Sequence, residues 1–317
     1  MWYHKPSPHL DTRNSKSILH TFKVKGHVGL TINPYHGCQH RCGYCYATYE
    51  WSPEFYDRIY AKSNAPEVLE KQLESWKDES IEPVMISSAT DAYQPAELKY
   101  CLTRRCVEVL QKYRVPYYVF TKSSVIERDL QLHKRYKSDC FLVWSITTCD
   151  ERTRRLVEPG TPTAHRIFKV IKKFVDEGVC CAINIDPIIP LITDSHKHLD
   201  EIVNACCDAG IKYVSSAILR LRSDIWERMK MILKLLNIEN GIETYKNTIY
   251  QFREPLKPWI NVGANRCYET EVLRSLKEKI LQKGLIFDFP DLLGSRRLIS
   301  NKNPSSSGQQ ALLMRYM

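Results

Sequence analysis

The sequence lacks any apolar segment of membrane-spanning length, since a span needs about 20 apolar residues. The apolar stretch 179–192, for example, is interrupted by Asn184, Asp186 and two prolines. The first residues also lack the apolar core of a signal peptide. We therefore expect a cytoplasmic protein without membrane association, in which the 12 cysteines are reduced or bound to a metal rather than paired in disulfides.

The sequence also lacks a second compact cysteine run that could complete a zinc site. One run, C-x3-C-x2-C, spans residues 38–45, and the next cysteine is Cys101. A [4Fe–4S] cube takes one thiolate per iron, so the simplest reading is a cube with one iron left for a small chelating ligand. The alternative is zinc completed by His36 or His40, although zinc usually takes C-x2-C pairs. The predicted cluster ligands are Cys38, Cys42 and Cys45.

This spacing, with Tyr44 directly before the third cysteine, resembles the cluster loop of the radical S-adenosylmethionine (SAM) superfamily. The resemblance implies that the amino and carboxylate groups of SAM fill the open iron site. It implies that an electron then cleaves SAM, and that the 5′-deoxyadenosyl radical abstracts hydrogen from a substrate. The protein would contribute orientation and exclusion of water. An external electron donor of ferredoxin or flavodoxin type is implied as a partner.

Six apolar segments alternate with six segments of helical periodicity between residues 28 and 236. The predicted strands are 28–32, 84–88, 117–121, 141–147, 179–185 and 212–217. Strict alternation predicts an α/β fold with a parallel sheet and right-handed crossovers. Periodicity does not separate a doubly wound sheet from a barrel, but the resemblance implies a partial (β/α)6 TIM-like barrel with the cysteine loop after its first strand.

The rest of the chain is expected to surround this barrel. Residues 1–27 are polar and predict an irregular N-terminal arm, followed by the barrel at 28–236. Residues 237–299 predict a C-terminal extension, with a helix at 271–282 and an apolar segment at 285–293 that packs across the barrel. Residues 300–317 are rich in serine and predict a flexible tail.

Four stretches are similar to one branch of the superfamily, the spore photoproduct lyase-like group. They read INPYxGC at 32–38, TDxYQPxE at 90–97, EPGTP at 158–162 and PIIPLITD at 187–194. They cover most of the predicted barrel, so together they are far more specific than the cysteine run alone. Functional groups of such barrels gather at the carboxyl ends of the strands, and we therefore place the site there.

Polar residues at these strand ends match the groups of SAM. Thr90 and Asp91 offer a hydroxyl and a carboxylate for its ammonium, with a helix cap or an Asx-turn as the alternative. The resemblance implies that Lys122, after the third strand, and Ser145, on the fourth, contact SAM. A solvent-facing Lys122 is the alternative. Thr147 should project to the same face as Ser145, where the two could meet the ribose or carboxylate of SAM, and Tyr44 is also predicted to bind the cofactor.

The chain departs from the lyase pattern where the lyase has its hydrogen-donating cysteine. Residues 87–89 are Ser-Ser-Ala here, so we do not expect reversal of thymine dimers. Cys149 and Cys267 are weaker candidates for a thiol near the barrel mouth. The substrate is therefore left unassigned.

The net charge of +10, from 46 basic and 36 acidic residues, favours an anionic partner. Aromatic residues near the cysteine loop, interleaved with basic ones, favour single-stranded nucleic acid. A peptide and a small molecule are the alternatives, and no helix-turn-helix, zinc-finger or RNA-binding signature is visible. A non-catalytic nucleic-acid-binding protein with a structural metal and an electron-transfer protein are the rival functions. Four arginines that follow strands are predicted to contact the substrate: Arg152, Arg155, Arg220 and Arg222.

Overall fold

The computed structural model describes residues 7–24, 27–50, 54–76, 80–289 and 297–298 of the 317. The strands of this part are β1 (His9–Arg13), β2 (Leu19–Val24), β3 (His27–Ile32), β4 (Tyr35–His36), β5 (Arg58–Lys62), β6 (Ser80–Ile81), β7 (Val84–Ile86), β8 (Tyr117–Thr121), β9 (Cys140–Ser145), β10 (Cys181–Ile188), β11 (Tyr213–Ile218), β12 (Ile286–Phe287) and β13 (Arg297–Leu298).

Helices fill the connections between these strands. In the described part they are α1 (Ala47–Glu50), α2 (Ala65–Glu74), α3 (Glu97–Tyr100), α4 (Leu102–Lys112), α5 (Leu130–Lys134), α6 (Glu151–Val157), α7 (Ala164–Asp176), α8 (His196–Asp208), α9 (Ser223–Leu235), α10 (Gly241–Thr244) and α11 (Arg266–Gln282). None of the helices within these ranges combines the length and the apolar character that crossing a membrane requires.

The six predicted barrel strands lie side by side in chain order, as β3, β7, β8, β9, β10 and β11. Each is parallel to the next, which confirms the α/β architecture and the partial barrel. The sheet also has β2 at one edge, antiparallel to β3, and β12 at the other, parallel to β11. Within the described residues these two edges do not pair, so the sheet stays open.

The two faces of the sheet differ in what covers them. On the outer face, strand residues such as Leu142 and Ile183 pack against helix residues such as Phe174 in one large core. Thr163 caps α7, because its side chain accepts a hydrogen bond from the backbone N of Arg166. The inner face carries a smaller cluster of strand residues, which includes Phe141 and Val143.

The prediction that the N-terminal arm is irregular is wrong for the described residues of 1–27. β1 pairs in parallel with β5, and β2 pairs with β3 over six residues. Neither segment shows a clear alternation of apolar and polar residues, because both are edge strands and no second layer covers them fully. Their strand structure comes from backbone pairing, which the composition of a single segment does not reveal.

Helix bounds and the C-terminal segment differ from the prediction in detail. The connection from β8 to β9 is a 3-10 turn (Val125–Asp129) that runs into α5, and the connection from β9 to β10 contains α6 in addition to α7. Residues 285–289 extend the sheet through β12, and Phe289 packs on the inner face. The residues after 289 in the predicted segment 285–293 and the predicted tail at 300–317 lie outside the described residues.

A matched pair of substitutions tests the position of β9 in the core. Leu142 is fully buried and Leu281, on α11, is 53% exposed. Leu142→Ala should lower the free energy of unfolding by about 2–5 kcal/mol, because it leaves a cavity. Leu281→Ala should change it by less than about 0.5 kcal/mol. Chemical denaturation measures both, and equal losses would contradict the central position of β9.

Candidate cofactor site

A cavity of about 410 Å³ opens at the carboxyl ends of the parallel strands. The cysteine loop that follows β3 forms one wall, and the ends of β7 to β11 form the others. Because side chains alternate along a strand, Ser145, Asn184 and Asp186 lie on the inner face and line this space. The volume falls within the range of small-molecule sites.

The three predicted cluster ligands lie together on this wall. Cys38, Cys42 and Cys45 all line the cavity. Burial raises the pKa of the Cys38 thiol to about 12 and also raises the pKa values of Cys42 and Cys45. In the described part of the chain, no three His, Cys, Asp or Glu side chains converge on one metal ion. A [4Fe–4S] cube offers each thiolate its own iron, so its ligands do not have to converge on one point.

His40 is engaged by protein groups at both ring nitrogens. Its Nδ1 lies 3.0 Å from the carbonyl oxygen of Gly160, and its Nε2 lies 3.1 Å from Asp91 Oδ2. Burial alone would lower the pKa of His40, but the Asp91 carboxylate raises it above the usual value. With both ring nitrogens next to protein groups, His40 does not suit the zinc alternative, and His36, on β4, is not among the residues that line the cavity.

The EPGTP and TDxYQPxE stretches act as supports for the cysteine loop. A Cβ atom at Gly160 would lie 2.2 Å from the carbonyl oxygen of Gln39, so only glycine allows this approach. The backbone N of Gly160 donates to the carbonyl of His40 at 3.0 Å. From the other stretch, the Gln94 amide donates to the Gly37 carbonyl at 3.0 Å and accepts from the Gln39 N at 3.1 Å.

Helix α9, at the far end of the six strands, also holds this loop. Arg228 donates to the carbonyl oxygens of Gly43 at 2.7 Å and Cys45 at 3.2 Å. Arg222 donates to the carbonyl oxygen of Tyr46. Arg228 was not predicted from the sequence, because nothing in the pattern of an amphipathic helix distinguishes an arginine that reaches a distant loop from one that faces solvent.

Asp91 accepts hydrogen bonds from several parts of the protein. Its carboxylate accepts hydrogen bonds from Tyr93 N at 2.8 Å, Thr121 Oγ1 at 2.8 Å and Lys122 N at 2.6 Å. The bond to Tyr93 N is the Asx-turn named above as the alternative. Burial opposes the charge, but His40 and these donors hold the pKa of Asp91 below its usual value. Asp91 lines the cavity, yet its oxygens are already occupied by protein donors.

Lys122, whose side chain is only 15% exposed, is held in an ion-pair network, so the solvent-facing alternative is wrong. Its Nζ lies 2.9 Å from Glu158 Oε1 and 3.4 Å from the carbonyl oxygen of Ser145. Glu158 also accepts a hydrogen bond from Thr147 Oγ1 at 2.7 Å and one from the Tyr44 hydroxyl. Thr147 is fully buried and does not line the cavity, so it contacts Glu158 rather than a ligand. Glu158 is the first residue of the EPGTP stretch, but its role as the partner of Lys122 was not predicted from the sequence.

Several buried polar atoms in the cavity wall lack partners. Within the described ranges, Ser87 Oγ, Thr90 Oγ1 and Asn184 Oδ1 make no hydrogen bond. An unsatisfied buried group costs about 1–3 kcal/mol, which a polar ligand in the cavity would recover. SAM carries hydroxyl, amino and carboxylate groups. The three thiols and these polar atoms therefore fit a cluster with SAM beside it.

Two of the four predicted substrate arginines reach the cavity. Arg220 and Arg222 line it, whereas Arg152 and Arg155 are exposed on α6 and do not. Arg155 instead pairs with Glu151 at 2.9 Å. The two candidate thiols also lie away from the mouth. Cys149 packs against the main core, and Cys267 is exposed on α11.

A family model, the radical SAM superfamily, matches residues 32–206, which is more than half of the chain. The chain therefore belongs to the radical SAM superfamily, whose enzymes use a [4Fe–4S] cluster and SAM. It is similar to an uncharacterized protein of Mycobacterium bovis, with 32% identity over 203 residues that cover 61% of this chain and 59% of that protein. The match thus spans about three fifths of that relative.

Other relatives and solved structures agree with this placement. An uncharacterized protein of Methanocaldococcus jannaschii is 28% identical over 184 residues, which cover 57% of this chain and 68% of that protein. A spore photoproduct lyase complexed with dinucleoside spore photoproduct has a TM-score of 0.65 at 14% identity, covering 88% of this chain and 82% of that one. A radical SAM methyltransferase from Sphaerobacter thermophilus has a TM-score of 0.51 at 12% identity, covering 84% and 66%. These similarities show the fold.

A double-mutant cycle tests the buried ion pair. Lys122→Met and Glu158→Gln should each lower the free energy of unfolding by about 3–5 kcal/mol, because each leaves a buried charge without its partner. The double variant should lose much less than the sum of the two single losses. Denaturant unfolding of all four proteins measures the coupling. Strictly additive losses would show that the pair is not formed.

A second pair of variants tests how α9 holds the cysteine loop. Arg228→Met removes two hydrogen bonds from a charged donor to the loop carbonyls, each worth about 1.5–3 kcal/mol. The reconstituted cluster should therefore be lost to a chelator roughly tenfold faster or more. Lys234→Met removes a charge from the exposed face of the same helix and should leave the rate unchanged. Visible absorbance follows the loss, and equal rates in both variants would contradict the role of Arg228.

Proposed function

We propose that this radical SAM enzyme binds a [4Fe–4S] cluster through Cys38, Cys42 and Cys45, binds SAM in the adjoining cavity, and abstracts hydrogen from an anionic substrate. Nucleic acid is the favoured substrate class. One observation supports the proposal. Three desolvated thiols form one wall of the cavity, and buried polar atoms on its other walls have no hydrogen-bond partner among the described residues. A structural metal alone would not require the second feature.

Different residues around the cavity would bind different groups of the ligand. When reduced by an external donor of ferredoxin or flavodoxin type, the cofactor pair supplies a 5′-deoxyadenosyl radical. Lys122 has three Nζ protons, of which Glu158 and the Ser145 carbonyl take two, so one is left for a ligand carboxylate. Thr90 and Asn184 offer their unpaired oxygens to hydroxyl or amino groups. Tyr44, a buried residue of the cysteine loop, helps exclude water from the cavity.

The substrate end of the cavity supports an anionic substrate. Arg220 lines the cavity and, among the residues described, makes no hydrogen bond or ion pair. The net charge of +10 also favours an anionic substrate. One solved spore photoproduct lyase holds a dinucleoside spore photoproduct, which supports nucleic acid as the class. Ser87, and not a cysteine, lies at the cavity in the 87–89 stretch, so we do not propose reversal of thymine dimers.

Anaerobic reconstitution with iron and sulfide, followed by dithionite and SAM, tests this proposal through the formation of 5′-deoxyadenosine. Cys38→Ala should lose the cluster and product formation to background, because one of only three thiolates is gone. Cys207→Ala, an exposed cysteine on α8, should retain both. A colourless wild-type protein that holds zinc and forms no 5′-deoxyadenosine would overturn the proposal in favour of a non-catalytic binding protein.

A further inference from the structure

A tight turn at residues 257–260 displays a tryptophan to solvent. The backbone N of Ile260 donates to the carbonyl of Lys257 at 3.0 Å. Pro258 occupies the second position of this turn, where its fixed φ is favourable. Trp259 is 72% exposed, the highest exposure of any large apolar side chain among the described residues, and Ile260 beside it is 40% exposed.

The segment that carries this turn is fixed at both ends. Before the turn, Glu254 accepts a hydrogen bond from Trp226 Nε1 at 2.6 Å and pairs with Lys230 at 3.0 Å. After the turn, Val262 and Leu221 exchange two backbone hydrogen bonds of 2.8 Å each. The exposure of Trp259 is therefore a property of an anchored turn, and displaying the ring requires little additional ordering of the chain.

The turn lies at the mouth of the cofactor cavity. Asn261 lines the cavity, and two residues of chain span at most about 7 Å, so Trp259 is close to that mouth. The bridge between Leu221 and Val262 places the segment beside Arg220, which lines the same cavity. The Nζ of Lys257 lies 6.0 Å from the centroid of the Trp259 ring.

An exposed ring with cations near it, beside a cavity, suits one kind of ligand. Two exposed apolar side chains offer too little area for the apolar core of a protein–protein interface. Lys257, next to the Trp259 ring, and Arg220, at the cavity, supply positive charge for phosphates, and the ring offers a stacking face for a base. Aromatic rings combined with cations are how single-stranded nucleic acid is held.

We propose that Trp259 stacks on a base of a single-stranded nucleic acid, while Lys257 and Arg220 contact its phosphates. The strand then passes the mouth so that a neighbouring nucleotide faces the cavity. The inference rests on the proposed function insofar as that strand is the substrate. It adds a docking surface in which the C-terminal extension contributes Trp259 and Lys257 beside Arg220 of the barrel.

Fluorescence anisotropy with labelled oligothymidylate and oligouridylate of about twelve nucleotides, within the range of single-strand sites, tests the surface. Trp259→Ala should weaken binding by roughly five- to 140-fold, the effect of one lost stacking contact. Trp259→Phe should weaken it less, because it keeps a ring. Arg220→Gln should make the salt dependence shallower, by about 0.7 in the logarithmic slope for one lost phosphate contact.

Leu281→Ala is the matched control, since Leu281 is an exposed apolar side chain on α11 outside the cavity lining, and it should bind as the wild type does. Thermal unfolding of Trp259→Ala checks that the variant is folded. Stronger binding of one of the two oligonucleotides identifies DNA or RNA as the source and supports the proposal in either case. Wild-type affinity in Trp259→Ala, or duplex DNA bound as tightly as single strands, would overturn it.

The binding and 5′-deoxyadenosine measurements together distinguish failure of the docking surface from failure of the proposed enzymatic reaction. Binding that depends on Trp259, in a protein that forms no 5′-deoxyadenosine, would support the surface and overturn the proposed chemistry. Formation of 5′-deoxyadenosine with oligonucleotide affinity that is indifferent to Trp259 would support the chemistry and overturn the surface.

Discussion

The placement of three buried thiols on a loop with little regular secondary structure is the constraint on which the site depends. Such a loop exposes backbone carbonyls that need partners when they are buried. Side chains from opposite ends of the sheet supply them. Gln94, after β7, contacts the start of the loop, and Arg228, on α9, contacts its end. Hydrogen bonds from a charged donor are about twice as strong as neutral ones, so Arg228 suits this task.

The same contacts explain how an open sheet can enclose a cavity. A closed eight-stranded barrel fills its interior with side chains. Here six parallel strands curve without closing, and the contacts of α9 with the cysteine loop bridge the gap. Apolar side chains such as Phe141 and Phe289 fill the inner face away from the mouth. The space at the carboxyl ends of the strands is left for ligands.

The sequence predicted what depends on local pattern and missed what depends on distant polar partners. The strands β3 and β7 to β11 are apolar runs, so their order and parallel arrangement followed from alternation with helices. Lys122 was placed at its strand end, but its partner Glu158 is 36 residues further along the chain, and no periodicity encodes that distance. Asp91 was expected to face a ligand because a motif gives residue types without saying which oxygens the protein itself occupies.

The electrostatics of the cavity wall tie these elements into one arrangement. Burial raises the pKa values of all three thiols, and Glu158 adds to this effect at Cys42, whereas Lys122 lowers the pKa of Cys42 and Arg228 lowers that of Cys45. Binding of iron requires thiolates. Arg228, which holds the loop, and Lys122, which is paired with Glu158, therefore place positive charge near the thiols, where negative charge appears when iron binds. Arg228 thus supplies both a hydrogen-bond donor for the loop and a charge complementary to an anionic cluster.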